Sequence, residues 1–431
     1  MIVRIDKIRD CFSLTGPLKP MVRVYVTDDA DVKTLVNYTP GSEVENISAG
    51  TKWMCRPDGY WHKVGSDETV FPASIYGVSW VVGANSKLTR TDGAVDFINP
   101  VPCVNGVGGS SPFDGLMPWS GMEVVTDEHA GAMVSIPKFY YRIIREGDTL
   151  TVQISSSAAD GFAVSPAHMD RGDGKGERDV VYIARYHCDE SGKSTSGAMP
   201  WGSMTRAQFR TALSSMYAQY GANMYSMQDF AMFWTTRLLM LVEYATWNFQ
   251  DAIGYGCGDV NTLSLENSGK TDSMPYHTGT VGATIDTYCV GVQYRYIEDM
   301  WGNCAEFIDG WRFDPETGAA YVTVNPAEYS DTEGGVMIAQ IAESNQYGWI
   351  TDWNVPDADG YSWAMMPAAT NTDETLTGTD YVADYCYFGG PVLISGGGAD
   401  VPGPGYGPFM LGADAASDSD PFLGARLQKI P

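Results

Sequence analysis

Two stretches of this chain carry the 3.6-residue period of a helix, and nearly everything else is short strand patterns broken by turns. In TRAQFRTALSSMYAQYG, Thr205 and Gln208 have capping-box spacing. Phe209, Leu213 and Met216 fall on one face, and Gly221 suits the stop. A second helix is expected to start at Ser226, with Asp229 at the box position. It is apolar almost all round, through Phe230, Phe233, Leu238, Leu239, Leu241 and Val242, which makes it a central core helix. Arg237 and Glu243 interrupt its apolar run, so the segment from Phe230 to Tyr244 reads as buried in protein and not as a membrane span.

The strand patterns come in blocks. Residues 1 to 75 hold VRVYV and KWMCRPDGYWHKVG, the latter with a Pro-Asp-Gly turn at Pro57 to Gly59, and read as a small separate β-rich module. MVSIPKFYYRII and GDTLTVQIS, joined at Glu146-Gly147, read as one hairpin. From Gly254 onward only short strands and loops are expected. Two helices amid many short strands describe an α+β fold whose surface is mostly loop.

Composition narrows the function. The 431 residues suggest two or three domains, and 44% hydrophobic residues suffice for a real core. Aromatics at 12% and charged residues at only 19% argue against disorder, and the abundant Tyr and Trp suit recognition surfaces. The net charge of −26 repels phosphate backbones and anionic lipid heads, which excludes nucleic-acid and membrane-surface binding. Eight scattered cysteines without a CxxC pair read as free thiols of a reducing cytosol. MIVRIDKIRDCFSL lacks the apolar core of a secretion signal. A surface-acting protein of this kind would have to leave the cytosol without a secretion signal, for instance built into a particle released by lysis.

MWGNCAEFIDGWRF (Met300 to Phe313) resembles the WGNVWEW-type core motif of the formylglycine-generating-enzyme branch of the C-type lectin fold. Trp301, Gly302, Asn303, Glu306 and Gly310 match, Phe307 matches as an aromatic, and Cys304 departs from the usual Val. The closing FLGARLQKIP resembles the GFR/GARL strand of the same branch, which returns to pair near the domain's start. Between them, GGGADVPGPGYGPFMLGADAASDSDPFLGARL resembles the variable region of diversity-generating-retroelement target proteins. Gly397, Gly398, Gly407, Pro408, Phe409, Gly424, Ala425, Arg426 and Leu427 match its fixed frame. The phrases IYGVSW, SPFDGLMPW, VSIPKFYYR, MDRGDGKGERDVVYI and GYGCG resemble phage-borne members, so the resemblance covers residues 75 to 431.

The resemblance implies a C-type-lectin-like ligand-binding domain over residues 76–431, with a variable region at about 381–427. Residues 1–75 would then attach it to a larger particle, a phage tail fibre tip. The implied ligand surface consists of Asp400, Val401, Pro402, Pro404, Tyr406, Gly412, Asp414, Ala415, Asp418, Asp420 and Phe422, with Tyr385 and Tyr387 at its edge. The residues between frame positions are ones that a randomised AAC codon, read as NNC, can encode, Met410 excepted. Phe409 and Leu427 should face inward, and Arg426 should tie the last strand. The implied partners are a bacterial surface protein or glycan, the other components of a phage particle, and further copies of the chain. The plainer reading is that these are ordinary loops, since Gly, Pro, Asp and Ser dominate any loop.

Catalytic chemistry is not expected. Formylglycine-generating enzymes use a C-terminal cysteine pair, and only Cys386 lies in that region. The five histidines lack HxxxH-type spacing, and His187-Cys188 reads as a strand residue beside a buried thiol. Gly172 to Asp179 resembles a cation loop, but Asp170, Asp173, Glu177 and Asp179 fit a Ca²⁺ loop poorly, so a solvated loop and no cofactor is the expectation. Arg171-Gly172-Asp173 reads as a chance tripeptide, not an integrin ligand. The alternatives kept open are an oxidase-like or formylglycine-generating enzyme on the same fold, and a structural virion protein without a ligand.

Overall fold

The computed structural model describes the chain apart from residues 1, 14–15, 36–37, 39–40, 56–60, 66–68, 71–74, 84, 222, 258–263, 283–290, 373–383 and 398–405. The architecture is β-rich α+β. The chain divides into two units, Met1–Ile75 with Ser155–Phe162, and Tyr76–Ile154 with Ala163–Pro431.

In the first unit the strands follow chain order across one six-stranded sheet. It opens with a long antiparallel pair, Ile2–Ser13 against Gly16–Val26. Alternation builds the remainder: Glu43–Asn46 and Lys52–Cys55 each bury every second residue, which delivers Val44, Trp53 and Cys55 to a core with Val24, Val26, Val32, Leu35 and Trp61. The indole of Trp61 donates to the Leu35 carbonyl at 2.9 Å, so its one polar atom is satisfied inside that core. The Pro57 to Gly59 turn lies outside the described residues.

The second unit is organised around helix α2, Phe230–Tyr244, in which every residue is buried. Its start differs from the expected Ser226. Asp229 is the N-cap, its carboxylate accepting from the Met232 amide at 2.8 Å. Tyr225–Met227 is instead a strand paired with Leu427–Lys429. Helix α1, Arg206–Tyr217, has the expected capping box of Thr205 and Gln208. Phe209 and Leu213 are buried, but Met216 is 39% exposed and Tyr217 takes the inward position. The helical period allows either Met216 (i+3) or Tyr217 (i+4) after Leu213; Tyr217 stacks on Tyr225 at 4.6 Å and donates to the Gly192 carbonyl, and these partners outside the helix select it. A third, short helix, α3, runs Phe249–Ile253.

The expected hairpin is divided. Tyr140–Glu146 and Thr149–Ser155 are sheet neighbours across Gly147, whereas Gly131–Pro137 belongs to another sheet, between Val124–Asp127 and Val180–Ala184. Pro137 is the last paired residue of its strand, opposite Val180, and after Lys138, whose amide donates to the Asp179 carbonyl at 2.8 Å, the chain switches sheets. Leu427–Lys429 inserts between Val180–Ala184 and Tyr225–Met227, so the closing strand pairs with the middle of the chain and not with the start of the unit.

The tryptophan-glycine-asparagine turn is a tertiary joint. Trp301 is buried and donates to the Gly254 carbonyl at 2.9 Å. Gly302 has φ +80, and a Cβ there would lie 2.4 Å from the Cys257 nitrogen, so only glycine fits. The Asn303 side chain donates to the Glu266 carbonyl at 2.9 Å and accepts from its amide at 2.8 Å. Ala305–Asp314, which follows, is a central strand of the nine-stranded sheet, next to Ala319–Val322 and Val392–Ser395.

Candidate functional site

Three strands of the nine-stranded sheet carry the candidate surface. Leu411–Asp414 lies between Val392–Ser395, antiparallel, and Tyr385–Phe388, parallel. Alternation along Tyr385–Phe388 buries Cys386 and Phe388 and turns Tyr385 and Tyr387 outward. Beyond Asp414 the chain leaves the sheet as a loop and returns at Leu423–Gly424, which pairs parallel with Ala305 and Glu306.

Backbone bonds hold this loop in place. The Ser203 amide donates to the Asp420 carbonyl at 3.2 Å, and the Ala305 amide to the Phe422 carbonyl at 2.9 Å. The Asp420 side chain caps the turn, accepting from the Phe422 amide at 2.8 Å.

Strands and loop enclose a cavity of about 240 Å³. Tyr387, Tyr406, Asp414, Asp418, Asp420 and Phe422 line it, together with the buried apolar residues Ile394, Met410 and Leu423. Three carboxylates and no basic side chain face the cavity among the described residues. The Tyr387 hydroxyl donates to Asp414, and burial raises the phenol above its ordinary range. Burial also raises the Asp414 carboxyl; the Tyr387 bond opposes this, and the neighbouring Asp418 adds to it. An aromatic row extends from the cavity. Tyr406 lies 6.4 Å from Tyr385, which meets Trp349 at 5.6 Å and Tyr347 at 5.1 Å, both edge to face.

The residues expected at the site separate into groups. Six of them (Tyr387, Tyr406, Asp414, Asp418, Asp420 and Phe422) meet at the cavity, and Tyr385 borders it through Tyr406. Ala415 is exposed at the start of the loop but does not line the cavity. Gly412 is a correction: it is buried in its strand, and a Cβ there would lie 2.7 Å from the Tyr387 ring and 2.8 Å from Ile394. It is the floor on which Tyr387 rests, not a contact residue. Asp400, Val401, Pro402 and Pro404 lie outside the described residues. Tyr347 and Trp349 were not expected; the alternation of YGWI hints at them, but only sheet pairing brings them to Tyr385.

The frame residues are held from below. Phe409 is fully buried among Trp234, Trp247, Phe249 and Trp353, with ring centroids 5.0 to 6.2 Å away. Arg237 of α2 donates to the Pro408 carbonyl at 3.0 Å. Asp384, missed from the sequence, accepts the amides of Gly407 at 3.0 Å and Phe409 at 2.6 Å. Burial pushes its carboxyl up to about 7, against the pull of those amides and Arg237. Downstream, the buried Arg426 donates to Glu306 at 2.6 Å and to the carbonyls of Ala184, Arg185, Glu298 and Asp299.

The other sequence candidates resolve as structure. His187 sits against Glu306 at 3.1 Å, and burial, then Arg426, holds its imidazole below the ordinary range. Burial pushes the Cys188 thiol up to about 12, and the Cys386 thiol is raised further by the same cause. Arg171 is buried and paired with Asp229, so it is not displayed beside Asp173 as an exposed tripeptide. In the cation-like loop, Asp170 caps the Gly172 and Gly176 amides, and Asp173 takes Arg178 at 2.6 Å. Among the described residues no three His, Cys, Asp or Glu side chains converge as a metal site, and no helix is long and apolar enough to cross a membrane. Comparison with family models finds no match to this chain, and comparison with curated proteins finds none.

Proposed function

We propose that this chain is a ligand-binding protein that recognises a bacterial surface protein or glycan through the cavity at Tyr387, Tyr406, Asp414, Asp418, Asp420 and Phe422. In this reading residues 76–431 form a C-type-lectin-like domain of the formylglycine-generating-enzyme type. Residues 406–422 belong to the variable region of a diversity-generating-retroelement protein, and residues 1–75 attach it at a phage tail fibre tip. One observation carries the reading: Tyr406, Asp414, Asp418, Asp420 and Phe422, chosen because they fall between frame positions, converge with the edge residue Tyr387 on one cavity, while the described frame residues on both sides are buried. A loop without a role has no reason to gather aromatics and carboxylates around a concavity while its anchors are sealed in the core. Multiple copies on one particle would let each site bind weakly and still hold.

The test is binding of the fluorescently labelled chain to a panel of bacterial cells, together with thermal melts. Wild type is expected to bind at least one strain. Tyr406→Ala and Phe422→Ala are each expected to lower affinity by about tenfold or more, as for aromatic anchors, with little change in melting temperature. Unchanged binding by both variants would place the ligand elsewhere.

A further inference from the structure

We propose that the cavity receives an arginine side chain projecting from the surface of a partner protein. This rests on reading the cavity as the recognition site and specifies what that site takes.

Size is the first argument. Sites for drug-sized ligands run from about 300 Å³ upward, and this one has about 240 Å³, a size that suits a single inserted side chain. Charge is the second. Asp414, Asp418 and Asp420 face the space with no basic neighbour lining it among the described residues. A neutral guest would strip water from these carboxylates without replacing it, which costs free energy, whereas a cation offsets their mutual repulsion.

The walls choose between the two basic side chains. Tyr406 and Phe422 bring aromatic rings to the lining, and Ile394, Met410 and Leu423 bring apolar surface. A guanidinium is planar, stacks on aromatic rings, meets carboxylates through a fork of N–H donors and is weakly hydrated. Its methylene stem suits the apolar residues. An ammonium matches the charge but not the flat, partly apolar walls. The net charge of −26 steers a basic partner towards this surface before contact.

The experiment measures fluorescence anisotropy of labelled hexa-arginine, hexa-lysine and hexa-citrulline peptides with the full chain. Citrulline keeps the shape of arginine and removes its charge. Two double variants are compared. Asp418→Asn with Asp420→Asn removes charge at the cavity while leaving each side-chain oxygen able to keep its turn bond to the Asp420 or Phe422 amide. Asp357→Asn with Asp359→Asn removes the same charge at an exposed site elsewhere.

The expected order is hexa-arginine over hexa-lysine over hexa-citrulline. The cavity variant should weaken hexa-arginine by about tenfold or more while the control variant stays near wild type. Equal loss in both double variants, binding of hexa-citrulline as tight as hexa-arginine, or preference for a neutral oligosaccharide would overturn the proposal. Cell binding separates the two readings. If Tyr406→Ala abolishes it and the cavity double variant leaves it intact, the site stands and the arginine assignment fails. If neither variant alters it, the site itself is wrong.

Discussion

Residues 407–413 and residues 414–422 follow one another directly along the chain. Every residue of the first stretch is buried, and none of the second is. The first is held by things far away in sequence: the aromatic cage around Phe409, Arg237 beneath Pro408, and Asp384 on two amides. The second is held mainly by its backbone and its ends, through the Phe422 carbonyl, the pairing of Leu423–Gly424 and the guanidinium of Arg426. A backbone fixed from both flanks leaves the side chains between them with mainly local duties, the turn bonds of Asp418 and Asp420 and the contact of Asp414 with Tyr387. That is the physical condition for a surface whose residues can change while the fold does not.

Breaking an anchor and changing the loop should therefore have very different consequences. The largest effect is expected from Arg426→Ala, which leaves the buried Glu306 carboxylate with His187 alone beside it and removes a donor from four buried carbonyls. It should cost about 5 kcal/mol, the upper end for an uncompensated buried charge, measured by urea denaturation. Phe409→Ala should follow at about 3–4 kcal/mol, because the cage cannot close on the space left. A loss under about 1 kcal/mol in both would show that the flanks do not hold this region.

Asp384 gives the comparison a pH axis. Its carboxyl sits at about 7 in the folded chain against an ordinary 3.8. The folded state therefore keeps a proton that the unfolded state releases between those values. The stability from this group is fully present at acid pH and is lost as pH rises from about 4 to about 7, by a few kcal/mol at most. Asp384→Asn should flatten that part of the profile, read as denaturation midpoint against pH. A variant profile parallel to wild type throughout would show that the carboxyl titrates normally.

Gly412→Ala tests the boundary between the two stretches. The added methyl collides with Tyr387 and Ile394, and should cost about 1–3 kcal/mol through overpacking. A tolerated alanine would return Gly412 to the candidate surface. The smallest effect is expected for Ala415→Ser with Ser417→Ala, both exposed in the loop, with a change in stability within about 0.5 kcal/mol. A larger loss would mean that the loop carries structural load after all.

Local patterns in the chain were sufficient for the features that depend on neighbours in sequence. The Thr205–Gln208 capping box, the all-round apolar helix α2, the turn at Gly147 and the polar loop at 414–422 all follow from residues within a few positions of one another. Periodicity and turn chemistry act over that range, so they are legible without the fold. Of the candidate surface, the loop carboxylates, Tyr406 and Phe422 could be named because a frame of Gly, Pro, Phe and Arg brackets them, and Tyr387 because it lies at the edge of that stretch.

The rest was decided by partners outside the local sequence window, from 8 to about 200 residues away. Tyr225–Met227 is strand and not helix because Leu427–Lys429 lies beside it. Tyr217 displaces Met216 from the inner face because Tyr225 and Gly192 are there to receive it. Gly412 reads as loop glycine but is sheet interior, since only the paired strands put the Tyr387 ring over it. Asp384 reads as one more acid in an acidic chain until burial shows it holding two amides. Tyr347 and Trp349 join the surface only through pairing with Tyr385–Phe388. Sequence specifies which side chains can be buried or exposed at each step of a local period; which of them meet is set by the closing of long loops, and that information exists only once the chain has folded.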